Sequence, residues 1–255
     1  MESIAITGGG TGIGAATARR YAAEGARVAV IGRRREPLEE VAAETGALVV
    51  VADVSVRAEA DRAVTEVVEA FGRLDVAVAN AGGSGSSSVL DTGDDEWDAA
   101  LRSNLTSAFV FTRAALPHLV ETRGRIVVVS SLAGLFAGPA VAGYTTAKHA
   151  VIGLTRSLAR DYGPLGVRAN AVCPGWVRTP MADEEMTALA GVSVEEAYAT
   201  VTADVPLRRP AEPDEIASVV RFLGSAESSY VTGAVLVADG GAHVVDVPTL
   251  AFDRL

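Results

Sequence analysis

The stretch "SIAITGGGTGIGAATARRYAAEGARVAVIG" (3–32) places two short runs of apolar, mostly β-branched residues on either side of an alanine-rich segment. The runs at 3–7 and 27–31 have the length and composition of buried strands, and the segment at 12–25 has helical periodicity. The glycines at the first junction indicate a tight turn from strand to helix. This order predicts a βαβ unit, in which two parallel strands are connected by a helix.

The same alternation continues along the chain, and further strands are predicted at 47–52, 74–79, 125–130, 167–172 and 234–238. Continuous apolar strands separated by helices are typical of a parallel sheet covered on both faces. The predicted fold class is α/β: a single-domain, Rossmann-like, doubly wound parallel sheet of about seven strands with helices on both faces, formed by residues 1–255. An insertion at about 176–210, with helical patterns at 181–190 and 193–203, fits either a lid over a pocket or a packed excursion.

The composition limits the classes of partner. A formal net charge of -10 argues against general binding to nucleic acids or anionic membranes, because both require a positive face. No stretch approaches the roughly 18 apolar residues of a membrane span. The single cysteine, Cys173, excludes an internal disulfide framework, and the first residues lack the basic region of a secretion signal. We therefore expect a cytoplasmic protein.

The run "TGGGTGIG" (7–14) has the chemistry of a phosphate-binding turn. Its glycines follow the spacing G-x3-G-x-G at Gly8, Gly12 and Gly14 rather than G-x-G-x-x-G. Glycine permits a sharp turn and close approach of the backbone to a phosphate, while the following helix N-terminus offers N–H groups and positive dipole. A purely structural turn is the alternative, but a position after the first strand of an α/β alternation favours nucleotide binding.

The end of the second predicted strand bears on which dinucleotide binds. An acidic residue there would hold the ribose 2′-hydroxyl of NAD, whereas arginine suits the 2′-phosphate of NADP. The sequence is "VIGRRRE" (30–36), with Gly32 at the acidic position, followed by Arg33, Arg34 and Arg35. NADP(H) is therefore favoured, with NAD(H) as the alternative. The three arginines also fit a solvated helix face.

Seven motifs follow one another along the chain: "TGGGTGIG" (7–14), "DV" (53–54), "NAG" (80–82), Asn104, "SS" (130–131), "YTTAK" (144–148) and "PG" (174–175). In this order and in these structural contexts they resemble the short-chain dehydrogenase/reductase family, in its shorter-subunit branch, over essentially the whole chain. The resemblance implies an NAD(P)-dependent oxidoreductase that transfers a hydride between the nicotinamide and a carbonyl or secondary alcohol.

Lys148 is the only lysine among the 22 basic residues, and it follows Tyr144 by one helical turn. In the helix predicted over 144–162, the two residues share a face with their Cβ atoms about 5–6 Å apart. A positive charge at about 5.5 Å favours the phenolate by roughly 3 kcal/mol at an effective dielectric of about 20, which lowers the tyrosine pKa by about 2. Burial of the tyrosine would oppose this effect, and a positively charged nicotinamide ring would add to it. We expect a tyrosine that exchanges a proton near neutral pH, the alternative being an exposed i,i+4 contact.

The resemblance implies two further catalytic residues. Ser131, at the end of a predicted strand, would hydrogen-bond the substrate oxygen, with its neighbour Ser130 as the rival. Asn104 would hold a water that relays protons to Lys148, unless it only satisfies a helix backbone. The catalytic set is thus Asn104, Ser131, Tyr144 and Lys148.

The resemblance also implies a cofactor-binding set. Lys148 would bind the ribose hydroxyls beside the nicotinamide, and Asp53 would accept a hydrogen bond from the adenine amino group, although a helix cap would use the same residue type. The complete set is Gly8, Thr11, Gly12, Ile13, Gly14, Arg33, Arg34, Asp53, Val54, Asn80, Gly82, Tyr144, Lys148, Pro174, Gly175, Val177 and Thr179.

Several functional alternatives remain open. A ketone reductase or alcohol dehydrogenase with a small-molecule substrate is preferred over an NAD-linked polyol or sugar dehydrogenase, and over a non-catalytic NADP(H)-sensing protein. No histidine or cysteine cluster has metal-ligand spacing, so no metal is expected. The resemblance implies a homotetramer, or less often a dimer. The apolar tail "VVDVPTLAF" (244–252) would pack on a neighbouring subunit.

Overall fold

The computed structural model describes residues 1–85, 87–189 and 191–254, and the side chains as far as residue 252. Within these residues seven strands form one sheet: β1 (Ser3–Thr7), β2 (Arg27–Gly32), β3 (Leu48–Val51), β4 (Val76–Ala79), β5 (Arg125–Val129), β6 (Arg168–Pro174) and β7 (Val235–Ala238). Their order is β3-β2-β1-β4-β5-β6-β7, and every neighbouring pair is parallel. The predicted strands and the doubly wound parallel sheet are confirmed.

The described helices connect these strands: α1 (Gly12–Ala23), α2 (Arg35–Thr45), α3 (Arg57–Phe71), α4 (Asp94–Leu101), α5 (Ser107–Thr122), α6 (Ala142–Tyr162), α7 (Pro180–Thr187), α8 (Val194–Val201) and α9 (Pro213–Leu223). A π-helical turn, Arg102–Thr106, joins α4 to α5. No helix in the described part of the chain is both long and apolar enough to cross a membrane.

Helices cover both faces of the sheet because successive side chains of a strand point to opposite faces. From β1, Ala5 packs into a core that includes residues of α3, α5 and α6. Ile4 and Ile6 pack into a second core, which includes residues of α1, α2 and α9. Strands that are apolar on both faces therefore form the centre of a three-layer structure.

A cleft opens where the winding of the sheet reverses direction. β1 lies between β2 and β4, and the chain leaves β1 toward the face of α1 but leaves β4 toward the face of α5. The two strand ends are held together by Thr7, whose Oγ1 accepts hydrogen bonds from the N–H groups of Asn80 and Ala81, each at 3.0 Å. In open α/β sheets this switch point is where ligands bind.

The insertion after β6 is a packed unit closed at its base. Val177 and Ala211 form a parallel bridge, and the N–H of Arg178 donates to the carbonyl of Ala211 at 2.9 Å. The helices α7 and α8 pack through a small core that contains Met186 and Tyr198. The predicted helical patterns at 181–190 and 193–203 correspond to these two helices, although Ala190 lies outside the described residues.

Candidate active site

The glycine-rich turn is built so that only glycine fits at three positions. Gly8 and Gly12 have φ angles of +64° and +51°, a region that other residues rarely adopt. A Cβ on Gly14 would overlap the carbonyl oxygen of Gly8, and one on Gly12 would lie 2.9 Å from the Thr179 methyl carbon. Thr11 is the N-cap of α1 but makes no side-chain hydrogen bond to its first turn. The N–H groups there are consequently suited to an anion.

A cleft of about 950 Å³ extends from this turn to the N-terminus of α6. Its volume is in the range of small-molecule and cofactor sites. The predicted residues that line it are Gly8, Thr11, Arg33, Arg34, Asp53, Val54, Gly82 and Tyr144. The glycine turn, the arginines after β2 and the predicted catalytic tyrosine thus share one cavity.

The arginines after β2 divide between this cleft and the surface. Arg33 and Arg34 line the cleft. Arg35, in contrast, pairs with Glu39 along α2, with nitrogen and oxygen 3.3 Å apart. In the described part of the chain neither Arg33 nor Arg34 forms an ion pair with an acidic side chain. All three arginines are exposed, but only Arg33 and Arg34 also line the cleft.

Asp53 lies at the same end of the cleft. Burial alone would raise the pKa of its carboxyl, but hydrogen bonds from Ser55 and the charges of Arg33 and Arg102 outweigh burial and lower it. Its Oδ1 accepts from the Ser55 N–H at 2.9 Å and from the Ser55 hydroxyl at 2.7 Å. Asp53 therefore stabilises the turn before α3, whose N-cap is Val56.

Asn80, Gly82 and Asn104 form the floor between the glycine turn and the lysine. Asn80 Nδ2 donates to the carbonyl of Thr7 at 3.0 Å, so Asn80 ties β4 to β1. Asn104, in the π-helical turn, accepts from the Gly83 N–H at 3.2 Å and donates to the Ala100 carbonyl at 3.1 Å. A methyl group on Gly82 would lie 2.8 Å from Asn104 Oδ1 and 3.4 Å from Lys148 Nζ. The side chains of Asn104 and Lys148 therefore converge on this glycine.

Tyr144 and Lys148 share one face of α6, as predicted, with the Lys148 Nζ 5.5 Å from the Tyr144 ring centre. The lysine is buried, and its ammonium donates to the carbonyl of Val129 at 3.1 Å. The two serines after β5 have different partners. Ser130 donates to the backbone carbonyl of Lys148 at 2.8 Å, whereas Ser131 interacts with the Tyr144 hydroxyl. Ser131 is therefore the serine that faces the tyrosine.

The predicted lowering of the Tyr144 pKa is wrong. Burial raises the pKa of Tyr144 above its ordinary value, and the hydrogen bond with Ser131 opposes this only in part. Burial also lowers the pKa of Lys148, to about 8. Withdrawing charged groups from water disfavours both the phenolate and the ammonium. Desolvation is the largest cause of the pKa shift of both groups, and the attraction between Lys148 and Tyr144 on which the prediction depended contributes to neither shift.

Four of the remaining predicted residues lie at or after the end of β6, and one of them, Thr179, contacts the glycine turn. Pro174 ends β6, and Val177 is buried in the bridge at the base of the insertion. Thr179 is the N-cap of α7 and places its methyl group against Gly12. Gly175 lies so close to Asp239 that a Cβ would meet the Asp239 Cα at 3.0 Å, and Ile13 packs on the core.

Three residues at the site were not predicted. Arg102 lines the arginine end of the cleft, and the hydroxyl of Ser84 hydrogen-bonds the carboxylate of Glu185. The negative charge of Glu185 also raises the pKa of Tyr144. Arg102 lies two residues before the predicted Asn104, so its nearness to the site could have been inferred from the sequence. Glu185 is the last of three acidic residues in succession and could not be distinguished from the other two.

A doubly wound sheet, a glycine cradle at its switch point and a Ser–Tyr–Lys cluster at the far end of the cleft define a class of enzyme. That class is the oxidoreductases that use a nicotinamide dinucleotide and act on alcohol or carbonyl groups. Residues 8–243 match a family model described as enoyl-(acyl carrier protein) reductase. The chain belongs to the short-chain dehydrogenase/reductase family.

Its relatives cover almost the whole chain. The sequence is 52% identical over 254 residues to Protein MoaE of Klebsiella aerogenes, with 98% of both chains covered. It is 38% identical over 246 residues to meso-2,3-butanediol dehydrogenase of Serratia marcescens, with 95% of both covered. The crystal structure of levodione reductase is similar with a TM-score of 0.92 at 37% identity, and the match covers 96% of this chain and 98% of that one.

Proposed function

We propose that the protein is an NADP(H)-dependent reductase of small ketones, which oxidises the corresponding secondary alcohols in the reverse direction. The observation that carries this proposal is the meeting of Ser131, Tyr144 and Lys148 at one end of the cleft, opposite the glycine cradle. The bound dinucleotide would supply or accept the hydride. The protein has to position the substrate carbonyl and provide its proton.

Tyr144 is proposed as the proton donor and Ser131 as the residue that orients the carbonyl. Because burial raises the pKa of Tyr144, its hydroxyl remains protonated through the neutral range. A protonated hydroxyl is the form that a ketone reduction needs, which favours the reductive direction. Ser131 faces the same hydroxyl and can donate a hydrogen bond to the oxygen that receives the proton.

Lys148 and Asn104 are proposed to support Tyr144. The buried Lys148 ammonium has three donors, of which one is used by Val129. The others can bind ribose hydroxyls and a water held near Asn104, through which Tyr144 is reprotonated. An NADP(H)-sensing protein would have no use for the proton donor, its orienting serine and this relay together.

The choice of NADP(H) over NAD(H) is proposed from the charges near the adenosine end. Arg33, Arg34 and Arg102 line the cleft there. Gly32 occupies the end of β2, where an acidic side chain would repel a phosphate. Guanidinium groups bind phosphates by paired hydrogen bonds. An NAD-linked polyol or sugar dehydrogenase is the second candidate, favoured by the likeness to a butanediol dehydrogenase.

We further propose a cytoplasmic homo-oligomer, with a tetramer preferred over a dimer. The strand β7 lies at the edge of the sheet, and all four of its residues are only half-buried. The tail exposes Val244, Val247 and Phe252. An edge strand and exposed apolar side chains are features that a second copy of the chain would cover.

Substitution Tyr144→Phe tests the proposed chemistry. We expect turnover of ketones to fall by about 10²–10⁴-fold, because the phenyl ring has no proton to donate. NADPH binding, measured by fluorescence titration, should survive. The matched control is Tyr162→Phe at the other end of α6, which should retain activity. Normal ketone reduction by Tyr144→Phe would exclude this mechanism.

A further inference from the structure

Three acidic residues in succession on α7 have three different environments. Asp183 accepts a hydrogen bond from the Tyr198 hydroxyl at 2.8 Å and so fastens α8 to α7. Glu184 is exposed to solvent. Glu185 is half-buried, and its carboxylate interacts with the hydroxyl of Ser84. Only the third acid is directed toward the residues of the active site.

Two sets of contacts place Glu185 near residues that line the cleft. The N-cap of α7, Thr179, lies against Gly12 in the glycine turn, so the helix begins beside the phosphate-binding end. Ser84, the partner of Glu185, precedes Gly85, where a Cβ would lie 3.9 Å from the Cβ of Tyr144. The helix therefore begins beside the glycine turn, and Glu185 lies near Ser84, which lines the cleft together with Tyr144.

No positive side chain of the insertion is available to Glu185. In the described residues each arginine of the insertion already pairs with another acid: Arg178 with Glu195 and Glu212, Arg208 with Asp204, and Arg209 with Glu215. Glu185 itself forms no ion pair within the described part of the chain. A partly desolvated carboxylate with a single hydroxyl partner is costly to maintain, and a ligand that donates to it would offset that cost.

We propose that Glu185 is a specificity-determining residue that favours substrates with a hydrogen-bond donor, either ammonium or hydroxyl, close to the reacting carbonyl. The same carboxylate disfavours substrates with an anionic group at this place, such as 2-keto acids. With the arginines of the insertion paired, nothing there compensates for the repulsion. This inference rests on the proposed ketone reductase function and specifies its substrate class.

The test compares four small ketones of similar size: aminoacetone, hydroxyacetone, butanone and pyruvate. A second set of four ketones carries the same ammonium, hydroxyl, methyl or carboxylate group one carbon further from the carbonyl. For the protein as it is, we expect kcat/KM for the ammonium and hydroxyl ketones to exceed that for butanone by about tenfold or more, and pyruvate to be poorest. Butanone at least equal to both donor ketones would overturn the inference.

Two variants separate the two kinds of donor. Glu185→Gln keeps a hydrogen-bond acceptor without charge, so it should abolish the preference for ammonium and preserve much of that for hydroxyl. Glu185→Leu should abolish both. The matched control is Glu184→Gln, which removes the same charge from the exposed neighbouring residue and should keep the ranking of the parent enzyme. Equal effects of Glu184→Gln and Glu185→Gln would contradict a role specific to Glu185.

The pH dependence gives a readout that a structural role would not change. Besides burial, the charges of Glu185 and Cys173 both raise the pKa of Tyr144. In the pH profile of kcat/KM for butanone reduction, activity should fall at high pH as Tyr144 loses its proton. Removal of the Glu185 charge should move this fall to lower pH, while Glu184→Gln leaves it unchanged. Lys148 and Cys173 are the same in both variants. If the high-pH fall of kcat/KM does not move in Glu185→Gln, the inferred position of Glu185 near Tyr144 is overturned.

The result with butanone distinguishes failure of the proposed role of Glu185 from failure of the proposed ketone reductase function. Reduction of butanone without preference for donors would overturn the inference about Glu185 and leave the ketone reductase function intact. Failure to oxidise either NADPH or NADH with every ketone would overturn the proposed function, and the inference with it.

Discussion

At the scale of single residues, Lys148 combines function with a cost in stability. Its side chain is buried, and its ammonium donates to one backbone carbonyl, that of Val129. A compact ammonium on a flexible stem can still serve ribose hydroxyls and a water from there, whereas a planar guanidinium would need more space. Because burial penalises the charged form, this residue, which is proposed to support catalysis, should also weaken the fold.

Substitution Lys148→Met tests this trade-off through its pH dependence. Burial lowers the pKa of Lys148 from 10.5 to about 8. Between these values the unfolded chain binds more protons than the folded one, so the contribution of this group to stability rises with pH. The shift corresponds to about 3 kcal/mol lost at neutral pH. We expect Lys148→Met to be inactive, to have a higher Tm than the parent at pH 7, and to lose that advantage toward pH 10.

Thermal unfolding followed by circular dichroism from pH 7 to 10 measures the difference between the two proteins. Lys148→Arg retains a permanent charge, so it should gain no stability at neutral pH and should also lose activity. A difference in Tm between Lys148→Met and the parent that does not vary with pH would show that Lys148 is not titrating in this range.

The geometry that was predicted correctly is local in the sequence. Tyr144 and Lys148 lie one turn apart, so their shared face followed from helix geometry alone. The separation of Ser130 from Ser131 depended on a family spacing, and the structure places only Ser131 against Tyr144. The pKa of Tyr144 was predicted in the wrong direction because its burial depends on elements far away in the sequence. The position of Glu185 beside Ser84 is equally non-local.

At the scale of elements, the strands were readable because they are buried on both faces and form unbroken apolar runs. The π-helical turn Arg102–Thr106 was not, since its residues continue the helical pattern of α4 and α5. Within this turn, Asn104 accepts a hydrogen bond from the Gly83 N–H, a contact with a segment distant in the sequence. Such turns are frequent at functional sites, and this one positions a proposed catalytic residue.

The turn between β2 and α2 is the element that should select the cofactor. Substitution Arg33→Asp replaces a cation of the cleft by an anion. We expect the affinity for NADPH to fall by about tenfold or more, because a charge-assisted contact to the 2′-phosphate is lost and replaced by repulsion. The affinity for NADH, which lacks that phosphate, should stay the same or rise. Fluorescence titration with both dinucleotides measures the ratio.

Arg35→Asp provides the control for this experiment. It makes the same change of charge two residues away, but Arg35 pairs with Glu39 on α2 outside the cleft. The ratio of the two affinities should therefore remain that of the parent. If Arg33→Asp and Arg35→Asp lowered the affinity for NADPH equally, the effect would come from the overall charge of the protein. The proposed 2′-phosphate site would then be rejected.

At the scale of the whole molecule, the sequence predicted the layered sheet, but not which apolar surfaces are exposed at its edges. β3 and β7 are the two edge strands. The residues of β7 are half-buried in the single chain, and the segments after it expose apolar side chains. An apolar edge strand left open would invite unspecific pairing, so coverage by another copy of the chain is the physical solution we expect.

The tail at 244–252 is proposed to take part in assembly. A chain truncated after Gly241 should sediment as a smaller species than the proposed parent oligomer, because it lacks the apolar tail residues that would bury surface on a neighbouring subunit. Truncation also removes His243, which is bonded to Asp239 at 2.8 Å. The double substitution Val247→Ser and Phe252→Ser keeps that contact and should likewise weaken assembly, with an unchanged circular dichroism spectrum. A full-size oligomer in both variants at micromolar concentration would mean that the tail takes no part in the interface.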